Sequence, residues 1–395
     1  MRAGLFFLVA GYVLSQFYRA FLAVLAPVLA TEIGATPSDL ALSSGIWFFI
    51  FAAMQMPVGV ALDRIGPRRT AAVLLGLGGA IGAAIFAMAE GPWAIHLAMA
   101  LIGIGCSPVL MASYYIFARL YPPAIFGTLA GAVIGIGSLG NIAGAAPLAW
   151  LVTAVGWRSA LWGLAAVTAG VALALWVFVR DPERAEPEAA AQSASFLALM
   201  RRPGLWPVLV LMAVAYAPAA AIRGLWAGPY LSETFGADAA TIGRSTLIMA
   251  LAMVAGSFAY GPLDRIFGTR KWVVFAGNAG AALCLGGLML APAAGIWQAT
   301  ALLAGLGLFG SSFPAIMAHG RAFFPPEMIG RGVTFLNMFG IGGAGILQFA
   351  SGRFHAATSG PGIAATDGYA LLFGFFLLPL VIGLGLYLFS RDTET

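Results

Sequence analysis

Twelve long apolar runs, separated by short charged or turn-forming segments, decide most of what this 395-residue chain can become. They fall at about 4–30, 38–62, 70–90, 93–118, 126–152, 158–179, 204–231, 239–263, 271–291, 296–320, 329–352 and 368–390. A bilayer-crossing helix needs about 20 apolar residues, and a helix satisfies its own backbone polar groups where no water is present. Composition agrees. The chain is 61% hydrophobic and 9% charged, whereas a soluble domain carries roughly 25% charged residues. A water-facing surface cannot be built from that supply, which excludes a soluble enzyme, a nucleic-acid binder and a disordered chain. The expected fold class is all-α integral membrane, with twelve transmembrane helices.

The net charge of +5 is ordered by side rather than gathered into a patch for nucleic acid. Arg64, Arg68, Arg69, Arg119, Arg270, Lys271, Arg321 and Arg331 fall at one set of span ends, with Arg158, Arg244 and Arg353 opposite. The positive-inside rule therefore predicts a multi-pass protein of the cell's inner membrane with both termini cytoplasmic. Cys106 and Cys284 lie far apart in apolar runs, and the three histidines show no ligand spacing, so neither metal nor cofactor is expected. The first run is too long for a cleavable signal and carries Arg19 in its middle.

The longest polar stretch, 180–203, divides the chain into six-span halves at 1–179 and 204–395. Its end, 196–202, reads equally as an interfacial amphipathic helix and as flexible linker. The halves repeat. Gly59-Val-Ala-Leu-Asp63-Arg64-Ile-Gly66-Pro67-Arg68-Arg69 follows the second run, and Gly261-Pro-Leu-Asp264-Arg265-Ile-Phe-Gly268-Thr-Arg270-Lys271 follows the eighth, with the aspartates 201 residues apart. Tyr121-Pro122-Pro123 and Phe324-Pro325-Pro326 repeat at 203. Parallel six-helix repeats predict two bundles with a substrate site between them.

The loop after the second run, Gly59-x-x-x-Asp63-Arg64-x-Gly66-x-Arg68-Arg69, resembles the signature loop of the major facilitator superfamily. The likeness extends over the chain through the twelve runs and the six-plus-six repeat. The departures are Pro67 among the basic positions, and Phe267 and Tyr260 in the second copy. The resemblance implies the major facilitator fold, a secondary transporter working by alternating access, a cavity lined by spans one, four, seven and ten, and a monomer.

Arg19 stands about fifteen residues, roughly 22 Å, into its span, and a charge at such depth marks a functional site by default. Arg223 follows it by 204 residues, and Tyr216 follows Tyr12 by the same 204. Tyr12, Ser15, Gln16 and Arg19 form one helical stripe, as do Tyr216, Arg223, Trp226 and Tyr230. No carboxylate falls in the middle of a span, so the guanidiniums call for an outside anion, carboxylate or phosphate. Such a pair is similar to the arginines of the family's organic phosphate antiporters. Arg19, Arg223, Tyr12, Tyr216, Trp226, Gln16 and His319 are the expected substrate-binding residues. The arginines can instead bond backbone carbonyls near Pro27 and Pro218, and His319, on one face with Ser312, reads as either a proton site or a packing residue. Ser107, Tyr114 and Tyr115 are candidate walls, whereas Trp47, Asn141, Asn337 and Gln348 read as interhelical contacts.

Gly59, Asp63, Arg64, Asp264 and Arg265 form the expected gate. Each loop aspartate would cap a neighbouring helix N-terminus and pair with the adjacent arginine. The glycines at 131, 135, 140 and 144, and at 340, 342, 343 and 345, predict close helix packing. The leading expectation is transport of a small organic anion, with protons or a counter-anion as coupling partner. A proton-driven drug exporter and an importer of a neutral, vitamin-like solute stay open, although Met99 and Ile136 stand where the family's antiporter signatures would lie. No nucleophile–base set or nucleotide loop supports an enzyme or an ATP-driven pump.

Overall fold

The computed structural model describes residues 2–35, 37–144, 146–182, 204–325, 328–358 and 364–393. Among the described residues, twelve helices are long and apolar enough to cross a membrane: Ala3–Leu22, Leu42–Arg64, Pro67–Ala87, Pro92–Leu120, Pro123–Val155, Trp157–Phe178, Trp206–Phe235, Thr241–Phe267, Arg270–Leu290, Ile296–Arg321, Ile329–His355 and Ala365–Tyr387. Among the described residues there is no strand. The all-helical, multi-pass architecture read from the apolar runs is the one observed. Residues 183–203 of the expected linker, with the amphipathic segment 196–202, lie outside the described residues.

Local chemistry sets the helix ends. Proline occupies the first turn of the third, fourth and fifth spans at Pro67, Pro92 and Pro123, where a missing N–H costs nothing. The Asp238 side chain accepts from the Thr241 N–H and the Thr269 hydroxyl accepts from that of Trp272, capping the next helices. Gly66 (φ 101°) and Gly268 (φ 66°) turn the chain after the second and eighth spans, a backbone that a side chain would strain. Outer faces carry large apolar side chains such as Phe49, Trp93, Leu283 and Leu290, more than 70% exposed, as a lipid-facing surface requires.

The chain forms two compact units. One holds Met1–Pro122, Val133–Phe196 and Phe324–Met338; the other holds Pro123–Ala132, Leu197–Phe323 and Phe339–Thr395. In the first, Tyr18, Phe21, Phe86 and Trp157 form an aromatic core, and the Tyr18 and Thr168 hydroxyls share a hydrogen bond of 2.8 Å. The fifth span crosses the first where a Cβ on Gly140 would overlap the Val13 carbonyl oxygen. In the second, Tyr230 packs on Tyr369 and Phe373, and Gly343 lies against the Ala213 carbonyl. Of the glycines expected to pack, Gly131, Gly140, Gly144, Gly340 and Gly343 lie close against neighbouring helices, whereas Gly342 and Gly345 have open space around them.

Several spans are interrupted. The second breaks at Met54, the fourth at Ser107–Pro108 and the tenth around Gly310–Ser312. The seventh breaks at Tyr216, ahead of Pro218, and continues through a π-helical turn at Ile222–Trp226.

Candidate functional site

In the first unit the site is built on the first span. Tyr12 is buried with its ring over Gly137, where any side chain would collide with it. One turn on, Ser15 and Gln16 are buried, and Gln16 Oε1 has no hydrogen-bond partner. Arg19 follows, its guanidinium carbon 5.1 Å from the ring centre of Trp47 and 5.2 Å from that of Phe51. These two rings, a helical turn apart on the second span, stack at 4.9 Å and 23°. The aromatic faces attract the cation. Arg19 Nε is buried with no hydrogen-bond partner.

In the second unit Arg223 lies inside the π-helical turn, and its Nε too is buried without a partner. Single π turns recur at functional sites. Tyr216 is half-buried at the helix break, 6.1 Å from Phe313 between ring centres. Trp226 donates its indole N–H to the Ser351 hydroxyl at 2.9 Å and packs edge-on against His355. Its donor is occupied, and only its ring remains to act as a wall. Tyr230 has left the stripe as well: its hydroxyl donates to the Pro292 carbonyl at 2.6 Å.

The ion pairs among the described residues are Arg158–Glu32, Arg270–Asp264 and Arg331–Asp63. Neither Arg19 nor Arg223 takes part in one.

His319 is not placed to hold a substrate. It is fully buried, with Nδ1 2.5 Å from the Tyr387 hydroxyl and Nε2 2.9 Å from the Arg391 carbonyl oxygen. Both ring nitrogens are used to fasten the end of the tenth span to the end of the twelfth and the segment after it.

The loop aspartates have partners other than those expected. Asp63 accepts from the backbone N–H groups of Gly330 (2.8 Å) and Arg331 (3.1 Å), and from Arg331 Nε at 3.0 Å. It thus caps the helix Ile329–Thr358. Its charge partner is Arg331, not Arg64, which is exposed. Gly59 lies one turn earlier, where a Cβ would overlap the Thr334 hydroxyl. A turn earlier still, Gln55 accepts from Asn337 at 3.0 Å and donates to the Phe51 carbonyl at 3.1 Å. Asp264, 1% exposed, pairs with Arg270 at 3.3 Å rather than with Arg265, which faces outward. Arg270 also donates to the Pro123 carbonyl at 3.1 Å. The second copy therefore makes an ion pair inside its own loop and no cap.

The residues that the sequence did not single out for the site are Trp47 and Phe51, beneath Arg19, and Arg331, beyond Asp63. The aromatic spacing at 47 and 51 was the available signal for the first two. Nothing local signals the third.

The sequence profile of the Major Facilitator Superfamily matches residues 8–227. The uncharacterized transporter YybO of Bacillus subtilis is 26% identical over 172 residues, 44% of this chain and 39% of that protein, so the match spans well under half of that relative. SauU of Cupriavidus necator, named as a probable sulfoacetate transporter, is 26% identical over 295 residues, 68% of each chain. The crystal structure of the Major Facilitator Superfamily transporter FucP, in its outward conformation, superposes with a TM-score of 0.72 at 19% identity, covering 96% of this chain and 98% of that one. That likeness shows the fold.

Proposed function

Because this chain belongs to the Major Facilitator Superfamily, whose matched members here are transporters, we propose that it is a secondary transporter for a small organic anion. Arg19 and Arg223 take the substrate's negative charge, Tyr12, Gln16 and Tyr216 contribute around them, and the Trp226 ring forms a wall. The observation that carries this reading is the state of the two arginines. Each has a buried Nε with no hydrogen-bond partner, and neither belongs to an ion pair among the described residues. Both arginines are only partly buried, but a guanidinium held deep in a span without a counter-charge is costly, and a bidentate oxyanion offsets that cost.

The name of one relative suggests a chemistry that fits. Sulfoacetate carries a carboxylate and a sulfonate, two negative groups for two cations. With no carboxylate in mid-span, charge balance during transport falls to anion exchange or to a proton that travels with the substrate. The basic span ends face the cytoplasm of a bacterial inner membrane. Alternating access is gated at that side by the Asp63 and Asp264 loops.

The test is a thermal-shift panel on purified protein with sulfoacetate, mono- and dicarboxylates, sugar acids, phosphate esters, vitamins and cationic drugs. A ligand at about 100 times its Kd stabilises by about 2.7 kcal/mol. The expected outcome is stabilisation by one anion class, lost in both Arg19→Gln and Arg223→Gln. Stabilisation by cations or neutral compounds alone, unchanged in the two variants, would overturn the reading.

A further inference from the structure

We propose that Trp47 is a substrate-binding residue: its indole N–H is a second donor to the anionic group held by Arg19, and it sets a preference for singly charged oxyanions, carboxylate or sulfonate, over phosphate. The proposal rests on the anion reading of Arg19.

Three observations meet in the first unit. Trp47 is 1% exposed, yet its Nε1 is buried with no hydrogen-bond partner. A buried indole N–H ordinarily finds an acceptor, and leaving one unmet costs about 1–3 kcal/mol. Secondly, the ring lies 5.1 Å from the Arg19 guanidinium carbon, so a small group bound to that guanidinium comes within reach of the indole edge. Thirdly, Arg19 Nε and Gln16 Oε1, a turn apart, are also buried and unpartnered. Two unmet donors, Arg19 Nε and Trp47 Nε1, with one unmet acceptor a turn from Arg19 on the same helix, are what a site lacking its ligand leaves behind.

The donor set defines the ligand. Between Arg2 and Arg64 the chain carries no cation except Arg19. One guanidinium and one neutral N–H offset a single negative charge. A phosphate dianion, more strongly hydrated, would bring a second charge that these two donors do not match. Gln16 Oε1, an acceptor, favours the same assignment, since it repels surplus negative charge. The flat Trp47–Phe51 stack suits the short apolar carbon that joins a carboxylate or sulfonate to the rest of a small acid.

Trp47→Phe tests this, because it retains a ring under Arg19 and removes only the N–H. Affinities for sulfoacetate, a panel of carboxylates and inorganic phosphate are measured by calorimetry on wild type, Trp47→Phe and Arg19→Gln, with melting temperatures taken without ligand. Trp47→Phe is expected to melt at or above the wild-type temperature and to bind the preferred anion about 10- to 100-fold more weakly, the range of a hydrogen bond to a charged group. Its preference for that anion over phosphate should narrow, a change that loss of packing alone would not produce. Anion binding lost in Arg19→Gln but unchanged in strength and selectivity in Trp47→Phe would overturn the assignment while leaving the anion reading intact. If wild type binds none of these anions, both fall together.

Discussion

A charge inside a membrane protein must be answered, and its neighbours show by what. Arg331 and Asp63 answer each other with side chains 12% and 7% exposed; Arg19 lies against two aromatic faces and has no ion pair among the described residues. Removing one member of a buried pair costs about 3–5 kcal/mol, whereas an exposed charge typically contributes within about 0.5 kcal/mol. Asp63→Asn is therefore expected to loosen the second span from the start of the eleventh. The reporter is a cysteine at Thr334, which packs on Gly59, with Cys106 and Cys284 replaced by serine. Its rate of maleimide labelling should rise about tenfold or more in Asp63→Asn, since about 1.4 kcal/mol is a factor of ten, and should not change in Arg64→Gln. Equal rates in all three would show that the pair holds nothing closed. The contrast marks what a sequence can tell at this scale. The aspartate is legible from its motif, but its partner lies 268 residues away, and adjacency alone points to Arg64. Arg19 and Arg223 are legible because a charge inside an apolar run is noticed without knowing its partner.

At the scale of the helix, the apolar runs located the spans, and helical periodicity then failed inside the seventh. The stripe Tyr216, Arg223, Trp226 and Tyr230 assumes 3.6 residues per turn throughout, but the seventh span breaks at Tyr216 and widens into a π turn at Ile222–Trp226. Each such turn shifts the phase of all that follows. Trp226 consequently reaches Ser351, and Tyr230 joins a cluster with Tyr369 and Phe373. No composition rule marks a π turn, because what maintains it is packing from other spans. Tyr12, on an unbroken helix, kept the phase it was given. If the wide turn serves to present Arg223, deleting Gly224, which has open space around it, should restore α-helical phase. The variant is expected to fold, with a melting temperature near that of wild type, and to lose anion-dependent stabilisation by tenfold or more in affinity, a difference of about 1.4 kcal/mol. Undiminished binding in that deletion would assign the turn to packing alone.

Across the whole molecule the duplication reaches further than the loops that revealed it. After the sixth span Asp181 accepts from the Arg68 N–H at 2.8 Å, at the start of the third span. After the twelfth span Asp392 accepts from the N–H groups of Arg270 (3.2 Å) and Lys271 (3.0 Å), at the start of the ninth, and from the Thr269 hydroxyl. Each unit thus holds its own trailing segment on a helix N-terminus, where a carboxylate is favoured. Partial burial works against the charged form of Asp392, but the Thr269 hydroxyl and the Lys271 and Thr393 N–H groups outweigh it and hold the carboxyl below its ordinary value. A lowered value means that the anchor is complete above the ordinary aspartate range and is lost only as pH falls through that lower value. At neutral pH, Asp392→Asn is the way to release it. The tail carries its own reporter, because trypsin cuts after Arg391, whose carbonyl oxygen His319 holds. In inverted membrane vesicles, cleavage at Arg391 should be slow in wild type and several-fold faster in Asp392→Asn, read by mass spectrometry. In intact spheroplasts the same variant should resist, because the proposed positive-inside orientation has this end in the cytoplasm. Cleavage in spheroplasts would reverse the orientation, and equal rates for both proteins in vesicles would remove the anchor. The two results are independent, so the experiment separates how the chain crosses the membrane from how its end is fastened.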